Sequence, residues 1–245
     1  MNNKNLRFWE FYLVRYFVGT VVGTLLILFL IYYPESGIYK LINKQATLPG
    51  IKISKFEMSY LWLFGFVGLA YCYLASAPIL VFHSVRSIFS RFSETSSRYK
   101  NLFKFSIILP LIVVLLLLLL SYLKNPERHT FFLLSISVAS IIIGYQIILI
   151  IFLIFRKNLF QFYKDLATKR SDNDQIVSEY VESYRHLREH GNAFSILLME
   201  IILCFILYNI NSLSLLSIIL TFWIIPAGSV WVIGTYLESK IHELK

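Results

Sequence analysis

Charged residues divide this chain into long uncharged stretches. Residues 16–33 carry none, with Arg15 before them and Glu35 after. Residues 58–85 lie between Glu57 and Arg86, 105–123 between Lys104 and Lys124, and 129–155 between Arg128 and Arg156. From 190 to 237 the single charge is Glu200. A helix rising about 1.5 Å per residue needs about 20 mostly apolar residues to cross the roughly 30 Å hydrocarbon core of a bilayer. Each of the first four stretches predicts one such helix. The last is long enough for two, with Asn209, Asn211 and Ser212 marking the turn between them. Six spans are therefore expected, near 12–33, 60–84, 105–123, 131–155, 193–210 and 214–236.

Composition decides that these stretches meet lipid. Of 245 residues, 57% are hydrophobic and 15% charged, against about 25% charged in a soluble domain. Mean hydropathy is +0.66, and Phe and Tyr number 21 and 16. No water-soluble fold of this length buries so much apolar surface, which excludes both disorder and an ordinary soluble enzyme. The expected fold is an all-α integral membrane protein. Its first span reads as a retained helix, since Glu10 and Arg15 precede it and no small-x-small cleavage site follows. Cys72 and Cys204 both fall inside apolar runs and read as buried packing residues.

The net charge of +9 orients the chain and does not point to nucleic acid, because the Lys and Arg flank the spans. The N-terminus, residues 86–104, residues 156–190 and the C-terminal tail hold 17 of them together, and the opposite side holds 6. Cytosolic loops carry the excess, so both termini are expected in the cytosol. Three units follow. Residues 1–155 hold spans one to four, with a small extracytosolic cap at 34–59. Its Pro49-Gly50 turn and the alternating Ile51 to Phe56 suggest a short strand. Residues 156–190 form a cytosolic helical hairpin between helices four and five, with a turn at Ser171 to Asp174. Residues 191–245 are a transmembrane hairpin and a short tail.

Glu200 is the most informative position. It falls about 12 Å inside the cytosolic boundary, where a carboxylate costs about 2–3 kcal/mol unless paired, protonated or facing water. Ala193, Leu197, Cys204 and Tyr208 share its face, and Thr24, Ser76, Gln146 and Ser229 fall at similar depth on other spans. A mid-membrane polar layer is expected there, acting as interhelical hydrogen-bond glue, as an ion or proton path, or as a pair with Arg15. Gly19 and Gly23 make a GxxxG spacing that lets two backbones approach, within one subunit or between subunits. In the hairpin, Val177, Tyr180, Tyr184 and Leu187 repeat at helical spacing and make an apolar face for its other arm or for a partner.

Residues 186–190 match the H-x-x-E-H order, which places His186 and His190 one helical turn apart with Glu189 beside them. A third ligand is lacking and the large soluble fold that carries this motif does not fit here, so these read as surface histidines beside a membrane boundary. No phosphate loop, G-x-S-x-G or H-E-x-x-H is present. No cofactor, metal or catalytic set is expected. The layout is similar in size and topology to subunits of bacterial anti-phage systems and to immunity proteins against pore-forming toxins. The reading is a non-enzymatic component of a bacterial inner membrane, surrounded by lipid, that forms homo-oligomers and docks or signals to a soluble cytosolic protein in antiviral defence. The alternative is an ion channel or transporter that uses Glu200 and its polar layer.

Overall fold

The structure, a computed structural model, describes residues 4–45, 61–92, 128–155 and 193–242, together with Ile112 and Leu159. Among these residues every regular element is a helix: α1 (Lys4–Tyr32), α2 (Gly37–Gln45), α3 (Leu61–Phe92), α4 (Arg128–Ile154), α5 (Ala193–Asn209) and α6 (Leu213–His242). The expected span at 105–123, apart from Ile112, lies outside the described residues. So do the strand at 51–56 and, apart from Leu159, the hairpin at 156–190.

Three helices contain segments long and apolar enough to cross a membrane: Trp62–Ser84 in α3, Thr130–Ile151 in α4 and Leu213–Leu237 in α6. Tyr16–Tyr32 and Gly37–Asn43 pass the same test as a pair bent by 58°. The outer surface fits lipid and not water. Trp62 is 81% exposed, and Phe17, Phe66, Trp231 and Val232 are also exposed, while the buried polar residues include Ser135, Gln146 and Glu200. The chain is an α-helical membrane protein.

Local chemistry sets the helix ends. Pro34 removes a backbone donor and pushes Tyr33 out of the helical region, so α1 stops there. A turn closes from the Ser36 amide to the Tyr33 carbonyl at 3.0 Å, and α2 starts when the Lys40 amide reaches the Ser36 carbonyl at 3.2 Å. Between α5 and α6 only Ile210, Asn211 and Ser212 are non-helical, the turn that the polar residues predict. Ser212 caps α6: its Oγ accepts the Leu215 amide at 3.2 Å and its carbonyl accepts the Leu216 amide at 3.1 Å.

Helix α5 runs through the middle of the bundle. Ile202, Leu203 and Cys204 are consecutive and all buried; at 3.6 residues per turn three successive side chains cover more than half the helix circumference. Only a helix with neighbours on most sides can bury them all. The core around them takes Leu30 from α1, Tyr71 and Ala75 from α3, Val138 and Ile142 from α4, and Trp223 from α6. A second, smaller cluster joins Val81, Leu149, Leu153 and Val230 from α3, α4 and α6.

Two devices hold α3 in place. Across from α1, a β-carbon on Gly68 would run into the Thr24 hydroxyl and come within 2.7 Å of the Thr20 carbonyl, and one on Gly23 would meet the Gly68 carbonyl at 2.7 Å. The GxxxG face of α1 is thus seated on α3 of the same chain. Across from α6, Pro78 stands inside α3 and has no N–H to give the Leu74 carbonyl four residues earlier. The Trp223 indole supplies the missing donor, Nε1 to Leu74 O at 3.0 Å.

The segment expected to form a small cap begins with a helix. Residues Gly37–Gln45 are helical, and α2 leans on the end of α5: a β-carbon on Gly37 would overlap the Ile210 carbonyl. Ile38 and Leu41 pack on the main core.

Candidate buried polar site

Glu200 sits on α5 seven residues from Ala193, about 10 Å along the axis. Its side chain is fully buried, and among the described residues neither Oε1 nor Oε2 meets a donor other than the weak Cys72 thiol. Room for the carboxyl comes from α1. A β-carbon on Gly19 would stand 3.3 Å from Oε1 and 2.5 Å from the Cys72 sulfur, and one on Gly23 would stand 3.5 Å from Oε1. The two glycines therefore do more than permit close packing. They leave the gap that Oε1 occupies, between α1 and α3.

The nearby hydroxyl donors are committed elsewhere. The Tyr71 hydroxyl donates to the backbone carbonyl of Glu200 at 2.7 Å, not to its carboxyl. The Thr24 hydroxyl lies 2.7 Å from the Thr20 carbonyl and 3.2 Å from the Phe64 carbonyl, so its single proton serves those two oxygens. The Cys72 thiol borders the same gap, and a thiol is a weak donor. Cys204 stands one turn further along α5 and is buried.

The expected polar layer is only partly assembled. Thr24 is at the α1–α3 crossing that also holds Glu200 Oε1. Ser76 instead bonds the Tyr73 carbonyl at 2.9 Å, and Ser229 the Ile225 carbonyl at 3.0 Å, each within its own helix. Own-helix carbonyls are always within reach of a serine rotamer, so depth alone does not bring a hydroxyl to a carboxyl. Gln146 on α4 is fully buried with both its amide oxygen and nitrogen unpartnered, so it does not bond Glu200. Ser135, one helical stretch earlier on α4, bonds the Phe132 carbonyl at 2.8 Å.

Tyr71, Cys72 and Gly68 on α3 are the site residues that sequence reasoning did not assign to Glu200. Their spacing held a signal, since Gly68 and Cys72 stand four residues apart and so share one helix face. Which span that face meets is not written in α3 itself. The partner-docking residues Val177, Tyr180, Tyr184 and Leu187 lie outside the described residues, as do His186, Glu189 and His190 and the side chain of Arg15. Among the described residues, no three His, Cys, Asp or Glu gather in a position to ligate a metal. Comparison with protein-family models, with curated proteins and with solved structures finds no match.

Proposed function

We propose that this chain is a non-enzymatic membrane component that holds or signals to a soluble cytosolic protein through residues 156–190. One observation carries the reading. Of the four buried polar side chains among the described residues, Ser135 and Gln146 lie on α4 and Glu200 on α5, the two helices that residues 156–190 join in sequence. A buried polar interior is expensive in a membrane and is retained for a purpose. Here it is concentrated on the two helices through which a load on the hairpin would pass. The finer layout belongs to the same proposal: six spans, both termini in the cytosol, and a bacterial inner membrane as the setting. The split of Lys and Arg, 17 against 6, supports the orientation. Self-association would use a face other than the GxxxG stretch, which is occupied by α3. The antiviral role belongs to the proposal as an analogy of size and span layout.

The test replaces Tyr180 and Tyr184 together with Ser. Aromatic anchors carry much of an interface's binding energy, so the double variant is expected to insert normally and to lose its co-purifying partner by about tenfold or more. The comparison is made by gentle-detergent pull-down and mass measurement. A variant with the wild-type yield and an unchanged partner would overturn the docking reading.

A further inference from the structure

We infer that the gap between α1, α3 and α5 binds one monovalent cation, a proton or an alkali-metal ion, at the Glu200 carboxyl. The inference concerns occupancy of this site and does not depend on docking by residues 156–190. It starts from charge compensation. An ionised carboxylate without a strong donor is costly in a low-dielectric interior, so such groups hold a proton or a counter-ion. Beyond the weak Cys72 thiol, neither Glu200 oxygen meets a donor: the Tyr71 hydroxyl is turned to the backbone carbonyl, and the Thr24 hydroxyl is turned to two other carbonyls. The residues described as bordering Oε1, namely Gly19, Gly23, Cys72 and Ile196, bring no positive charge.

The surroundings suit a small hard cation. Oε1 and the Gly68 carbonyl oxygen border the same notch beside Gly23, at 3.5 and 2.7 Å from where a β-carbon would sit, and the Thr20 carbonyl borders the matching notch beside Gly68. Carbonyl and carboxyl oxygens are the ligands that hard cations take. Gly23 leaves Oε1 and the Gly68 carbonyl unshielded by a side chain at the notch they share. Charged or titratable groups facing the carboxyl are few. From α3 they are Tyr71 and Cys72, with Cys204 of α5 beside Tyr71, and the stretch of α1 from Gly19 to Thr24 contributes none.

A hydrophobic carbodiimide tests this on the unmodified protein in its own membrane. The reagent adds to a protonated carboxyl inside lipid, and a bound alkali ion shields the same group from it. Peptide mapping by mass spectrometry should find the adduct on Glu200. A water-soluble carbodiimide should mark the exposed Glu35 and leave Glu200 untouched. Without sodium, the Glu200 adduct should fall as pH rises, by about tenfold per unit beyond the midpoint of the site. Sodium then separates the two sources. Suppression by sodium at constant pH, absent with choline, identifies an alkali ion, and indifference to sodium identifies a proton. The Glu200→Gln variant should lose the adduct at this position. Absence of any Glu200 adduct at every pH and sodium concentration, while Glu35 still reacts, would overturn the inference by showing a carboxyl held as a permanent ion pair. An adduct whose yield ignores both pH and sodium would overturn it as well, since a carboxyl that never exchanges its proton is not a binding site.

Discussion

Replacing Gly68 with Ala is expected to destabilise the α1–α3 pair by about 1–3 kcal/mol, the usual cost of forcing a methyl into a filled space. The added carbon would stand 2.7 Å from the Thr20 carbonyl and from the Thr24 amide nitrogen. Both are backbone atoms, so no rotamer change relieves the contact and one helix must move. Gly68→Val should cost more, since its two γ-carbons point into the same wall. The matched control is Gly65, three residues earlier on the same helix, where an added β-carbon meets nothing within 4 Å. Gly65→Ala should be neutral or stabilising by up to about 1 kcal/mol, because alanine is the better helix former. Thermal unfolding in mild detergent, followed by size exclusion, separates the pair. The Gly68 variants should also shift the Glu200 carboxyl, because the Gly23 notch depends on the same approach of α1 to α3.

Trp223→Ala should cost about 3–5 kcal/mol, the range for removing a large buried aromatic, since Trp223 is fully buried in the main core. Trp223→Phe is more informative. It keeps an aromatic ring and removes the donor that serves the Leu74 carbonyl. That carbonyl has lost its own-helix partner to Pro78, so the expected cost is about 1–3 kcal/mol, the penalty for an orphaned buried acceptor. In a Pro78→Ala background the restored amide at 78 can bond Leu74, and Trp223→Phe should then cost only its lost volume. A coupling of about 1 kcal/mol or more between the two sites is expected from the double-mutant cycle. Strict additivity would mean that the indole bond contributes nothing to the packing of α6 on α3.

Much of the helical frame was legible because its signal is long. The charge-free stretches ending near Arg86, Arg156 and Glu238 correspond to α3, α4 and α6, and the Asn-Ser turn before α6 is where those residues place it. Helix α2 was not legible. Pro34 and Glu35 open its segment like a loop, and Ile38, Leu41 and Ile42 give only one turn's worth of helical periodicity. Its helicity owes more to docking on the Ile210 end of α5 than to its own residues. Glu200 stood out because an isolated charge in an apolar run is rare, but its neighbours did not. Ser76 and Ser229 sit at suitable depth and face their own helices, whereas Cys72, an unremarkable apolar-run residue in sequence, borders the carboxyl. Depth is encoded by distance from a boundary. Azimuth depends on which helices meet, and for α1 that was decided by two notches, at Gly23 and Gly68, lying far apart in the chain.

Central to the fold is that α5 turns its Glu200 face onto the α1–α3 crossing, and native Cys72 offers a direct probe. Its sulfur and the Ile196 side chain both lie within 3.5 Å of one point beside Gly19. Ile196→Cys in a Cys204→Ser background should cross-link readily to Cys72 under mild oxidation in the membrane. A protease site placed within residues 160–190 would separate the half bearing α3 from the half bearing α5. After cleavage, the halves should stay joined on a non-reducing gel and part on reduction. Phe194→Cys, at a position 72% exposed, should leave them separate. Halves that part freely with Cys at 196 but stay joined with Cys at 194 would contradict the account, because α5 would then turn its Glu200 face away from α3.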